Sequence, residues 1–173
     1  MRLLLICGST RDGSSNALAL RALQEIDLPD LTTDYYTGLR RIPAFVPEMH
    51  PVPAAVRDLL RRIAEADAVM FSTPEYAGGL PGALKNLLDW TVGGGELYRK
   101  PAAWIDVANP DRGQGARAQL ATVLGYVGAH IVTAACVHVT LLRVDGTVTL
   151  GDPARQELAT AAAALVAAAE EDT

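Results

Sequence analysis

The chain has 173 residues, 50% of them hydrophobic and 20% charged, with a net charge of −5. That length suits one domain whose core needs no disulfide or metal staple, and the composition excludes a disordered chain. The acidic balance offers nothing to nucleic acid or an anionic membrane, no apolar run is long enough to span a bilayer, and no signal-peptide pattern opens the sequence, so a cytoplasmic protein is expected.

In chain order, residues 3–7 form a short apolar run without polar alternation, as expected of a strand covered on both faces. Residues 8–16 are dense in glycine and hydroxyl side chains, and residues 17–26 are nearly all strong helix formers. Strand, hydroxyl-rich loop and helix bring backbone N–H groups, O–H donors and the Arg11 guanidinium to one helix N-terminus, which favours a phosphate. The loop lacks both the Gly-Lys-Ser/Thr ending of a Walker A and the G-x-G-x-x-G spacing. Its own spacing, Gly8-Ser9-x-Arg11-x-x-Ser14-x-Asn16, suits the terminal phosphate of a mononucleotide. The plainer reading is a helix capped by Ser14, Ser15 or Asn16.

A second strand is expected over residues 31–36, then an irregular apolar stretch with Ile42, Phe45 and Val46 that packs across a helix. Pro43 and Pro47 forbid regular pairing there. Residues 52–66 read as an amphipathic helix with Val56, Leu59, Leu60 and Ile63 on one face. A buried strand over 67–73 leads into a second polar loop, Pro74-Glu75-Tyr76-Ala77-Gly78-Gly79, and a helix over 83–90. Leu84, Leu87, Leu88 and Trp90 exceed what covering one sheet face needs, which suggests a subunit contact; ordinary core packing is the alternative. The 92–96 stretch reads as a flexible break. The fourth strand, 100–108, runs into a third polar loop with Asn109, Asp111, Arg112 and Gly113, followed by a helix over 116–128. A fifth strand over 131–139, an Asp145-Gly146 turn between short extended pieces, and an alanine-rich helix from Asp152 to about residue 169 complete the pattern. Cys7 and Cys136 sit in apolar runs and read as buried thiols; His50, His130 and His138 lack metal-ligand spacing.

Five alternations of strand and helix, without a linker or repeat, define a single domain over 1–173 with a doubly wound parallel α/β sandwich. The three polar loops follow strands one, three and four, so all lie at one sheet edge, where such folds bind ligands. Loops two and three bracket a flat space beside the phosphate loop, which suits a planar heterocycle on a ribityl or ribose phosphate. Taken singly, Tyr76 also reads as a surface aromatic, and Glu75 as a solvated charge or a helix-N-terminal acid.

The motifs Gly8-Ser9-x-Arg11-x-x-Ser14-x-Asn16, Pro74-Glu75-Tyr76-x-Gly78, Pro81-Gly82-x-Leu84-Lys85-Asn86, Asp89-Trp90 and Arg112-x-x-Gly115-x-Arg117 resemble the NADPH-dependent FMN reductase family, in order along nearly the whole chain. The resemblance implies a flavodoxin-like three-layer α/β/α sandwich with a five-stranded parallel sheet in the order 2-1-3-4-5. It implies that Ser9, Arg11, Ser14 and Asn16 bind the FMN phosphate, and that Pro74, Glu75, Tyr76 and Gly78 lie against the isoalloxazine; Ser15 and Ala77 join them from their places in the same loops. Asn109, Arg112 and Gly113 fall on its other side, where the family more often has small residues than Asn109 and Asp111. It further implies hydride transfer from NADPH or NADH through FMN to a small-molecule electron acceptor: a flavin, quinone, azo compound or metal oxyanion. No side chain is expected to be catalytic. Arg11, Arg112 and Arg117 are candidates for a 2′-phosphate, and a homodimer or homotetramer is usual in the family. The rival reading is a non-catalytic flavodoxin-like electron carrier or regulatory flavin-binding protein, disfavoured by 5% aromatic content and the modest net charge.

Overall fold

A computed structural model describes residues 1–109, 111–145 and 147–171. Strands β1 (Arg2–Cys7), β2 (Thr32–Tyr36), β3 (Ala68–Ser72), β4 (Pro101–Asp106) and β5 (His130–Ile131) form a sheet in the order β2-β1-β3-β4-β5, and every pairing is parallel. Helices α1 (Ser15–Gln24), α2 (Ala54–Glu65), α3 (Gly82–Asp89), α4 (Gln114–Tyr126) and α5 (Asp152–Glu171) cover it.

Alternation along each strand feeds two cores. Leu3, Leu5, Met70 and Ile105 pack with α1 and α5, while Leu4, Ile6, Val69 and Phe71 pack with α2, α3 and α4. This is the expected three-layer sandwich. Both faces of β1 and β3 are buried, which is why their sequences run apolar without a break. Ala161 and Ala162 of α5 are fully buried; their small side chains let the helix lie close to the sheet.

Two expectations need correction. The fifth strand is broken: β5 gives way to a 3-10 turn, Thr133–Ala135, before the chain returns to β4 as β6 (Val137–His138). Ala135 is fully buried in the α5-side core, and seating it there draws the backbone off the sheet edge. Leu84, Leu87 and Leu88 are fully buried, and Trp90 nearly so, within the single chain. The surplus apolar surface of α3 meets the irregular 42–46 stretch instead of a partner. Trp90 Nε1 and Asn86 Nδ2 donate to the Pro43 carbonyl at 3.0 and 2.8 Å, and Phe45 packs edge-on against Trp90 with centroids 5.1 Å apart. The 92–96 break is a run of turns leading to fully buried Leu97.

Of the two cysteines, Cys7 is buried and Cys136 half-buried, where burial pushes its thiol pKa up. β7 (Leu141–Val144) and β8 (Thr147–Leu150) form an antiparallel hairpin. Asp145 of the expected turn has φ 48°, and Gly146 lies outside the described residues. Among the described residues no helix is long and apolar enough to cross a membrane.

Candidate functional site

The loops after β1, β3 and β4 line one cavity of about 530 Å³ at the carboxyl edge of the sheet. Its walls include Ser9, Arg11, Ser14, Ser15, Asn16, Pro74, Glu75, Tyr76, Asn109, Arg112 and Gly113. Eleven residues expected from three distant stretches are thus neighbours.

The hydroxyl loop combines capping with open donors. The Ser14 Oγ caps α1 by accepting from the Ala17 N–H at 3.2 Å, and the first helical bond runs from the Leu18 N–H to the Ser14 carbonyl at 2.9 Å. The N–H groups of Ser15 and Asn16, in the first helical turn, therefore have no helical carbonyl to bond. With the Ser9 and Ser15 hydroxyls and the Arg11 guanidinium, they form a donor set that fits a phosphate monoester. Ser9 Oγ accepts from the Arg11 N–H at 3.2 Å, which curls the loop back on itself.

Asn16 serves structure as well. It is 5% exposed, and its Nδ2 donates to Ser72 Oγ at 3.0 Å, while Ser72 donates to the Ile105 carbonyl at 2.8 Å. That chain of bonds ties α1 to β3 and β4, the strands carrying the other two loops. Only the remaining polar atoms of Asn16 are open to a ligand. Gly8 admits loop one against β3, because a Cβ there would stand 2.3 Å from Thr73 Oγ1.

Loop two is a small hairpin. The Tyr76 and Gly79 backbones exchange bonds of 3.0 and 3.1 Å, with φ of 50° at Ala77 and 78° at Gly78. Positive φ at both central positions is the signature of the tight turn suited to hairpins. Ala77 and Gly78 form its tip and do not line the cavity; they shape the loop. The Tyr76 side chain is half exposed at the cavity margin. Glu75 Oε2 accepts the Ala116 N–H at 3.1 Å, so this carboxylate caps α4 across 41 residues of sequence. Gln119 Oε1 returns the contact by accepting the Leu80 N–H at 2.6 Å.

In loop three, the Arg112 N–H donates to the Asn109 carbonyl at 2.8 Å; Pro110 lies outside the described residues. Asp106 organises this loop from behind. Its Oδ1 accepts the Ala108 N–H at 2.9 Å, and its Oδ2 takes the Arg117 guanidinium and His138 Nδ1. Arg117 is thus engaged by a buried carboxylate on the far side of the loop and is not among the cavity walls. A larger cavity, about 640 Å³, opens there between α4 and the broken strand, but its one carboxylate, Asp106, is already bonded to Arg117 and His138. The 530 Å³ cavity, with its unsatisfied donors, is the better ligand site.

Thr73, Val107 and Ala108 also line the cavity and were missed from sequence. Their position at or just beyond strand ends was the available signal. No isolated feature distinguished Asp106, Gln119 or Ser72, whose side chains reach Arg117, Leu80 and Asn16, 11 to 56 residues away.

Comparison with known proteins agrees with this geometry. Residues 1–141 match the NADPH-dependent FMN reductase family. A quinone reductase of Escherichia coli is 33% identical over 93 residues, covering 52% of this chain and 50% of its own length. An NAD(P)H-dependent FMN reductase of Pseudomonas aeruginosa is 34% identical over 123 residues, covering 69% of this chain and 65% of its own. The chain thus spans about half to two thirds of the length of these relatives. Among solved structures, the flavoenzyme NAD(P)H:(acceptor) oxidoreductase FerB of Paracoccus denitrificans superposes with a TM-score of 0.77 at 25% identity, covering 98% of this chain and 97% of that one. An azoreductase of Bacillus anthracis shares the fold, with a TM-score of 0.58 at 18% identity over 98% of this chain and 95% of that one. The matched span contains all three cavity loops, and the chain belongs to the NADPH-dependent FMN reductase family.

Proposed function

We propose that the chain is an FMN-dependent oxidoreductase that takes hydride from NADPH or NADH and reduces a small-molecule acceptor, either a flavin, a quinone, an azo compound or a metal oxyanion. The observation that carries this reading is the juxtaposition, in one cavity, of a helix N-terminus rich in open donors with two close-packed loops. FMN held there supplies the capacity to accept and pass on hydride.

The chain's own part is positional. Ser9, Arg11, Ser15 and the α1 N-terminus hold the phosphate, with Ser14 and Asn16 fixing the loop from behind. Pro74, Glu75 and Tyr76 border the ring from one side, and Asn109, Arg112 and Gly113 from the other; Ala77 and Gly78 shape the turn. Hydride transfer needs the nicotinamide at near-attack distance from the ring, and it needs no side-chain acid or base. The protein is a single domain over 1–173, cytoplasmic, without a nucleic-acid or membrane partner, and assembles as a homodimer or homotetramer. Purified protein should show a flavin absorbance spectrum and oxidise NADPH steadily when a quinone is supplied. Bound flavin without turnover would instead indicate a carrier, and light scattering at micromolar concentration reads the assembly directly.

A further inference from the structure

The proposed flavin cavity has a neighbour across loop one. Ser9 and Arg11 line both, and the second compartment, about 460 Å³, continues past Thr10, Asp12 and Gly13 to the end of β2 and the 3-10 turn Leu39–Arg41. That volume falls within the range of small-molecule sites. Four arginines, Arg11, Arg21, Arg40 and Arg41, line it against one acid, Asp12, in a chain of net charge −5. One sign of charge gathered in a concave site raises the local concentration of the opposite ion. Arg40 bonds the Thr10 carbonyl and pairs with Asp12 at 3.0 Å, so it braces loop one. Arg21 lies over the Tyr35 ring, 4.8 Å from its centroid. Among the described residues, no carboxylate pairs with the guanidinium of Arg11 or Arg41.

We propose that this compartment receives the adenylate phosphate of FAD, so that the chain takes FAD as well as FMN. The inference rests on the flavin reading of the adjoining cavity. With the flavin phosphate in the loop-one cradle, a pyrophosphate continues past the shared walls Ser9 and Arg11. Its second phosphate needs positive charge close by, and Arg41 and Arg21 supply it. Arg21, held over the Tyr35 ring, offers a planar cationic group on which an adenine stacks. The 2′-phosphate of NADPH would draw on the same charge, and the experiment separates the two.

Isothermal titration of the flavin-free full chain with FMN, FAD and 2′,5′-ADP compares the wild type with Arg41→Ala and Arg21→Ala. Arg40 is left intact because it holds loop one in place. The wild type should bind FAD at least as tightly as FMN. Each variant should weaken FAD by about tenfold, the scale of one charge-assisted phosphate contact, and change FMN by less than about twofold. Arg41→Lys should recover part of the FAD affinity. Equal losses for both flavins, or FAD affinity unmoved in both variants, would overturn the proposal. So would weaker 2′,5′-ADP binding in variants that bind FAD normally, since the charge would then serve NADPH. A wild type that binds FMN but not FAD refutes only this inference; one that binds neither refutes the flavin reading beneath it.

Discussion

Gly115 lies in the first turn of α4, where alanine is ordinarily the better helix former by about 1 kcal/mol. Here the sign should reverse. A Cβ on Gly115 would stand 2.1 Å from the Gly78 carbonyl oxygen, 2.8 Å from its carbon and 3.0 Å from Glu75 Oε2. Ordinary contact begins at 3.4 Å, so loop two would have to retreat by roughly an ångström, and a backbone carbonyl has no rotamer in which to escape. The retreat would strain the Glu75 cap on the Ala116 N–H, now 3.1 Å long, and the turn closed by Tyr76 and Gly79. Overpacking costs about 1–3 kcal/mol and a lost cap about 0.5–2 kcal/mol. Against the helix-propensity gain, Gly115→Ala should lose about 1–3 kcal/mol, which lowers Tm by roughly 2–10 °C in a chain of this size. Thermal unfolding followed by circular dichroism measures it, and FMN affinity should fall in the same variant because loop two walls the cavity. A Tm at or above wild type would refute the close approach of loop two to α4 as the reason for a glycine here.

Arg11→Ala should weaken FMN by up to roughly 1.5–3 kcal/mol, the range for hydrogen bonds to charged groups, at the low end because Arg11 is exposed; riboflavin, without a phosphate, should not register the change. Unchanged FMN affinity in a fluorescence titration would remove Arg11 from the phosphate site. Tyr76→Phe should retain FMN and most NADPH oxidation, because the half-exposed ring flanks the cavity; a loss beyond about tenfold in turnover, ~1.4 kcal/mol of barrier, would give its hydroxyl a catalytic part. Burial pushes the phenols of Tyr35 and Tyr36 up to about 12, so ultraviolet titration should show two tyrosines ionising late. The folded state then holds protons that the unfolded state releases near pH 10, so their contribution is full below pH 10 and is lost as pH rises towards 12. All five tyrosines of the chain titrating together at pH 10 in the folded protein would contradict the burial of these two.

The convergence of the three loops was legible in the sequence because it follows from topology alone. Loops after strands one, three and four of a parallel sheet share an edge whatever their side chains do. Local chemistry offered Ser14, Ser15 or Asn16 as the cap, and the structure selects Ser14, bonded to Ala17. What the sequence hid were the roles that depend on distant partners. Glu75 reads equally as a surface charge, a ring neighbour or a cap, and only the approach of α4 decides for Ala116. Asn16 looks like one more phosphate donor until Ser72 takes its amide. The surplus leucines of α3 suggested a second subunit because the sequence, which places the 42–46 stretch across a helix, does not say that the helix is α3, where Pro43 and Phe45 meet Trp90. The break in the fifth strand was illegible for a similar reason. An apolar run reports that residues are buried, and Ala135 is, but not that burial requires leaving the sheet.

The central claim is that the 530 Å³ cavity holds a flavin that accepts hydride from a nicotinamide. Anaerobic titration of the FMN-loaded full chain with NADPH, followed by absorbance, tests it most directly. The account predicts that about one equivalent of NADPH per flavin bleaches the flavin band, the stoichiometry of a hydride, and that adding a quinone restores it. Protein that retains no FMN, or that holds FMN whose spectrum neither NADPH nor NADH changes, would contradict it.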